Sequence, residues 1–172
     1  MQEPAMEELN GLKNPVRKRN RLEHYDYSAA GCYFITICTK YKEKLFGQIV
    51  GGDEINPPWM KYSTIGKRVK EQIQTINRSQ HVSVENYVVM PNHIHMILTV
   101  DGADHSNNSP ANAIIPRTIS GFKRLCAKEI GTDVFQRSFH DHIIRDQWHF
   151  EKIWNYIEDN PRRWKEDCFY IE

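Results

Sequence analysis

Paired cysteines, long apolar stretches and a surplus of either charge are all missing from this chain. Its four cysteines, Cys32, Cys38, Cys126 and Cys168, form no CxxC pair, which excludes a zinc ribbon or thioredoxin-like motif; free thiols in a reducing cytosol are expected. No apolar run approaches the ~18 residues that a membrane span needs. The opening MQEPAMEELNG is acidic and polar where a signal peptide would be basic and then apolar, so a cytoplasmic protein with no membrane partner is expected. Lys and Arg number 23 against 22 Asp and Glu, a formal net charge of +1, so any attraction to polyanions must come from local clusters. Internal repeats and low-complexity segments are also missing. What remains is ordinary: 172 residues, 40% hydrophobic and 26% charged, the size and composition of a single globular core.

Residues 1–16 carry no core pattern and read as a flexible tail, leaving 17–172 as one domain. Five basic residues lie between Lys13 and Arg21 without one acid; Arg17, Lys18, Arg19 and Arg21 make a basic arm suited to phosphate neutralisation. From Gly31, CYFITICTKY is rich in β-branched and aromatic residues and predicts a strand. A turn at 42–44 followed by LFGQIV suggests that this strand continues into a hairpin. Ser63 or Thr64 caps a helix whose Ile65, Val69, Ile73 and Ile76 recur at helical spacing. Residues 82–89 and 93–100 read as two strands broken at Pro91-Asn92. A polar loop, DGADHSNNSPANAIIP, follows. Thr118 or Ser120 is expected to cap a second helix that Gly131 ends, with Lys123 and Arg124 on its outer face as further candidate phosphate contacts. Residues 134–144 look extended, and Asp146 caps a third helix over 147–159 that stops before Pro161. Strand, strand, helix, strand, helix, strand, helix, with 82–100 counted as one interrupted strand, is an α+β pattern. The split βαβ arrangement of a ferredoxin-like (RRM-like) antiparallel sheet packed with helices accommodates it.

Within residues 93–100, His93 and His95 are two apart and therefore share one face of a strand, while Ile94, Met96, Leu98 and Val100 share the other. Two imidazoles side by side suit a metal ion, although satisfied polar histidines produce the same pattern. Tyr156 and Asn160 lie four apart on the last helix and share a face; aromatic residues in helices are usually core, and an Asn before Pro is usually a terminus. His140 and His142 flank Asp141, compatible with a second metal site, with polyanion contacts, or with simple polar residues.

NYVVMPNHIHMILTV at 86–100, followed by WNYIEDNP at 154–161, resembles the single-tyrosine HUH transposases, in the branch of REP-associated tyrosine transposases. The stretches RKRNRLEHYDYSAAGCYFITICT, ISGFKRLCAKEI and FQRSFHDHIIRD add to the likeness, which covers about residues 17–164. The resemblance implies a sequence-specific endonuclease and strand transferase of single-stranded DNA, with a catalytic helix near the C-terminus laid against a ferredoxin-like sheet. It implies Tyr156 as nucleophile, forming a 5′-phosphotyrosine, and His93, His95 and Asn160 as ligands of a divalent cation, Mg²⁺ or Mn²⁺. Ile94 fits the bulky middle position of the HUH phrase. Substrates would be hairpins of the REP kind, and the chain would act as a monomer or homodimer. Two other classes fit the residues: an idle nucleic-acid-binding module, and a metal-dependent phosphoesterase with water as nucleophile.

Overall fold

The structure, a computed structural model, describes residues 27–53, 55–102 and 113–171. The tail 1–16, the basic arm at Arg17, Lys18, Arg19 and Arg21, and most of the polar loop after residue 100 lie outside the described residues. Four strands, β1 (Gly31–Cys38), β4 (Val82–Val89), β5 (His93–Val100) and β6 (His140–Ile144), form an antiparallel sheet in the order β4-β5-β1-β6. With α1 (Thr64–Ile76) between β1 and β4 and α2 (Ile114–Ile130) between β5 and β6, this is the ferredoxin-like α+β arrangement. A third helix, α3 (Gln147–Asp159), follows β6.

Period-two alternation in β1 and β5 gives the sheet two different faces. Tyr33, Ile35 and Ile37 of β1 and Ile94, Met96, Leu98 and Val100 of β5 point toward α1 and α2, whose Val69, Ile73, Ile76, Ile119, Phe122 and Cys126 complete the main core. Each buried aliphatic side chain there contributes roughly 1.5–3 kcal/mol. On the other face α3 covers a smaller cluster built on Ile97, Ile144 and Ile157, flanked by Phe34, Phe150 and Trp154.

Ser63 caps α1 as expected, accepting from the Gly66 N–H at 3.0 Å. Gly66 is required there because a Cβ would run into the Phe46 carbonyl. Asp146 caps α3 through the His149 N–H at 2.8 Å. Two expectations need correction. β2 (Gly47–Val50) pairs with β3 (Trp59–Tyr62) in a separate ribbon rather than with β1, since β5 and β6 already occupy both edges of β1. And α2 starts at Ile114, ahead of Thr118 and Ser120, with Ala113 as a cap that supplies no side-chain bond. The Ile114 N–H instead donates to Ser28 Oγ at 3.2 Å, and Pro116 is tolerated in the first turn, where an N–H would have no helical acceptor.

Candidate active site

His93 and His95 project from the α3 face of β5 with ring centroids 4.5 Å apart. Both are buried, at 0% and 1% exposure. They do not line an open cleft: α3 and the segment after it cover them, and the rings of Phe169 and Trp164 lie 4.7 and 5.9 Å from that of His93. Asn92 fixes the tautomer of His93. The Asn92 amide donates to the carbonyls of Lys42 and Phe169 at 3.0 and 2.8 Å, which leaves its Oδ1 as an acceptor 2.9 Å from His93 Nδ1. The proton therefore sits on Nδ1, and Nε2 turns a bare lone pair into the site. His95 Nδ1 is held by Thr36 Oγ1 at 2.8 Å, and its ring stacks on Phe34 at 5.1 Å.

Helix α3 brings Tyr156 to this pair. Its hydroxyl lies 3.2 Å from His95 Nε2 and donates to Asp167 Oδ2 at 3.2 Å. Asn160, one turn further, donates from Nδ2 to the same carboxylate oxygen at 3.2 Å. Asp167 is the residue that sequence reasoning missed. It sits in irregular chain beyond Pro161, yet its side chain is 2% exposed. Its Oδ2 is 3.9 Å from His93 Nε2, and its Oδ1 accepts from the Phe169 N–H at 2.7 Å.

The electrostatics of this cluster run in one direction. Burial, and secondarily the positive charge of Lys42, lowers the His93 pKa to about 3. Burial and the neighbouring His93 push His95 well below its ordinary 6.5, against the pull of Asp167. Both imidazoles are thus neutral near pH 7, and no ion pair joins His93 to Asp167. Burial, then the charge of Asp167, raises the Tyr156 phenol to about 12.

Within the cluster, two buried acceptors, His93 Nε2 and Asn160 Oδ1, have no hydrogen-bond partner. His93 Nε2 faces the buried Asp167 carboxylate at 3.9 Å, and burying acceptors without a partner carries a desolvation cost. A divalent cation would relieve it. His93, His95 and Asp167 can each offer a ligand atom, all within 4.8 Å of one another, and the Asn160 amide oxygen adds a hard donor. The donor set fits a metal ion.

The other candidates are distributed differently. Lys123 is half-buried, and its ammonium donates to the carbonyls of Gln136, Arg137 and Ser138 at 2.7, 3.4 and 2.9 Å. It braces the approach to β6 rather than facing solvent, and burial lowers its pKa to about 8. Arg124 is exposed. His140 and His142 are exposed on the edge strand β6, where the ring of His142 lies 5.2 Å from that of His149. Between β1 and β2, Tyr41 and Lys42 both adopt left-handed backbone, at φ 55° and 57°, a conformation that costs roughly 1–2 kcal/mol per residue.

No family model matches the chain. An uncharacterized protein of Haemophilus influenzae is 32% identical over 175 residues, spanning 91% of this chain and 94% of that protein. A solved structure of a REP-associated tyrosine transposase bound to a REP hairpin superposes with a TM-score of 0.58 at 19% identity, covering 83% of this chain and 74% of that one. The chain therefore belongs to one family with the Haemophilus influenzae protein, and its fold is that of the REP-associated tyrosine transposases.

Proposed function

We propose that this protein cleaves and rejoins single-stranded DNA through a covalent phosphotyrosine, as a transposase of the single-tyrosine HUH kind. One observation carries the reading: the Tyr156 hydroxyl stands 3.2 Å from His95 Nε2 of its own chain, beside the two orphaned acceptors. The motif phrases at 86–100 and 154–161 support it independently, and the hairpin bound by the structural neighbour suggests a hairpin substrate here. The second reading, water as nucleophile, leaves the placement of this phenol without a purpose.

His93, His95 and Asn160 would hold the cation, with the Asp167 carboxylate beside them as proton acceptor. Mg²⁺ or Mn²⁺ bound there would polarise the scissile phosphate and offset the charge that develops on it. Neutral imidazoles suit this role because no proton competes for their lone pairs. In the cleavage step Tyr156 Oη attacks phosphorus, and the phosphorus–O3′ bond breaks. A 5′-phosphotyrosine and a 3′-oxyanion result, and the oxyanion takes a proton from solvent to become the free 3′-hydroxyl. The phenol proton passes to Asp167 Oδ2, which already accepts it at 3.2 Å, within reach of a general base. A later 3′-hydroxyl attacks the phosphotyrosine and reverses the step, so rejoining needs no nucleotide cofactor. The rings of Phe169 and Trp164 must turn aside before a phosphate can reach the imidazoles.

The test is a denaturing gel of the protein after incubation with a labelled single-stranded hairpin and Mn²⁺ or Mg²⁺. A covalent adduct is expected in the unmodified chain and is lost in Tyr156→Phe. Cleavage with no adduct would favour water as the nucleophile; binding with neither would favour the idle module.

A further inference from the structure

The turn from Lys40 to Lys44, next to the histidine pair in space and absent from the chemistry above, carries an exposed aromatic ring among lysines. Tyr41 is 87% exposed, which alone would mean little. Three further observations set it apart. Its backbone and that of Lys42 are left-handed, at φ 55° and 57°, and strain of this kind persists only where the surroundings enforce it. The enforcing contacts lead to the site: Thr39 Oγ1 donates to the Glu43 carbonyl at 2.8 Å, and the Asn92 amide holds the Lys42 carbonyl at 3.0 Å while its other end positions His93. Finally, the Lys42 and Lys44 ammoniums lie over the rings of Phe169 and Tyr170, each 5.7 Å from the centroid. Neither makes a carboxylate ion pair among the described residues. Lys40 is paired with Asp133 at 3.0 Å.

An outward-facing tyrosine beside Lys42 and Lys44, which make no carboxylate ion pair among the described residues, on a turn whose Lys42 carbonyl is held by the same Asn92 amide that positions His93, has the chemistry of a single-strand subsite. Every base offers a π-face to such a ring, and the ammoniums meet the flanking phosphates. Resting on the nuclease reading, we infer that Tyr41 is the stacking platform for an unpaired nucleotide adjoining the scissile phosphate. Lys42 and Lys44 exchange their ring partners for backbone phosphates once Phe169 and Tyr170 turn aside. The ring positions the strand and takes no part in bond making.

The experiment uses the full chain with Tyr156→Phe, so that binding is read without turnover. The probe is a DNA hairpin with a single-stranded flank that carries 2-aminopurine at successive positions. Quenching is expected at one flank position, lost with Tyr41→Ala and kept with Tyr41→Phe. Tyr41→Ala should weaken binding of the flanked hairpin about tenfold, within the range of one stacked base, and leave the hairpin without a flank bound as before. Lys42→Gln should lower the salt slope by about one. Quenching that survives Tyr41→Ala, or equal loss on both hairpins, overturns the platform. Adduct formation in the chain with Tyr156 intact is read separately: an adduct without Tyr41-dependent quenching removes only this subsite. Quenching without an adduct removes only the nuclease.

Discussion

Neighbouring residues of β5 have opposite duties. Ile94, Met96 and Leu98 are packed between the sheet and two helices in a wholly apolar layer. His93 and His95, one step along the same strand, are equally buried but meet a carboxylate, an amide and a phenol. The first face resembles the interior of any stable domain. The second keeps lone pairs unsatisfied beneath a single helix and an irregular tail. Stability and chemistry are thus divided by the pleat of one strand, so a one-residue shift of register would exchange them.

Substitutions on the two faces should separate these duties. The largest expected effect is on the polar face: His95→Ala should drop adduct formation below detection while lowering stability by no more than about 2 kcal/mol. A denaturing gel and a urea titration of the same sample check both halves, and equal loss of fold and activity would break the division. On the apolar face, Ile94→Ala should cost about 4 kcal/mol, read as a fall in Tm of roughly 8–16 °C. Asp167→Asn should slow adduct formation about 100-fold, within the range for a lost general base, and lower the phenol pKa, since the Asp167 charge helps to raise it. A rate unchanged from the unmodified chain would remove Asp167 from proton transfer.

The smallest effect is on pH dependence. His93 has a pKa of about 3 in the fold against 6.5 free, so between those values the unfolded chain binds a proton that the native chain refuses. Its contribution is fully present above pH 6.5 and is lost as pH falls toward 3. The slope is up to about 1.4 kcal/mol per pH unit. His95 acts in the same direction. Urea midpoints at pH 7, 6 and 5 should fall in that order and fall less in His93→Gln; identical slopes in the two proteins would contradict the buried neutral imidazole.

Legibility in the sequence followed periodicity. The histidine pair is readable because two residues span one full pleat. Tyr156 and Asn160 are readable because four residues bring side chains to one helix face. Asp167 obeys no period: it follows Pro161 in irregular chain, and only tertiary packing brings its carboxylate under α3. Thr36 and Asn92, which orient the imidazoles, look like ordinary strand and turn residues in sequence. The pairing of β2 with β3 depended on both edges of β1 being taken, a property of the whole sheet. The early start of α2 leaves no local signal, because Ala113 is no capping residue and the Ser28 hydroxyl that serves Ile114 lies far away in sequence.

Tyr156 stands 3.2 Å from His95 of its own chain, so a single chain carries every group of the proposed site. Mixing His95→Ala with Tyr156→Phe, each silent alone, tests it on the denaturing gel with hairpin DNA and Mn²⁺. No adduct should form at any mixing ratio. An adduct restored by mixing would mean that the tyrosine of one chain serves the imidazoles of another, and would overturn the single-chain site.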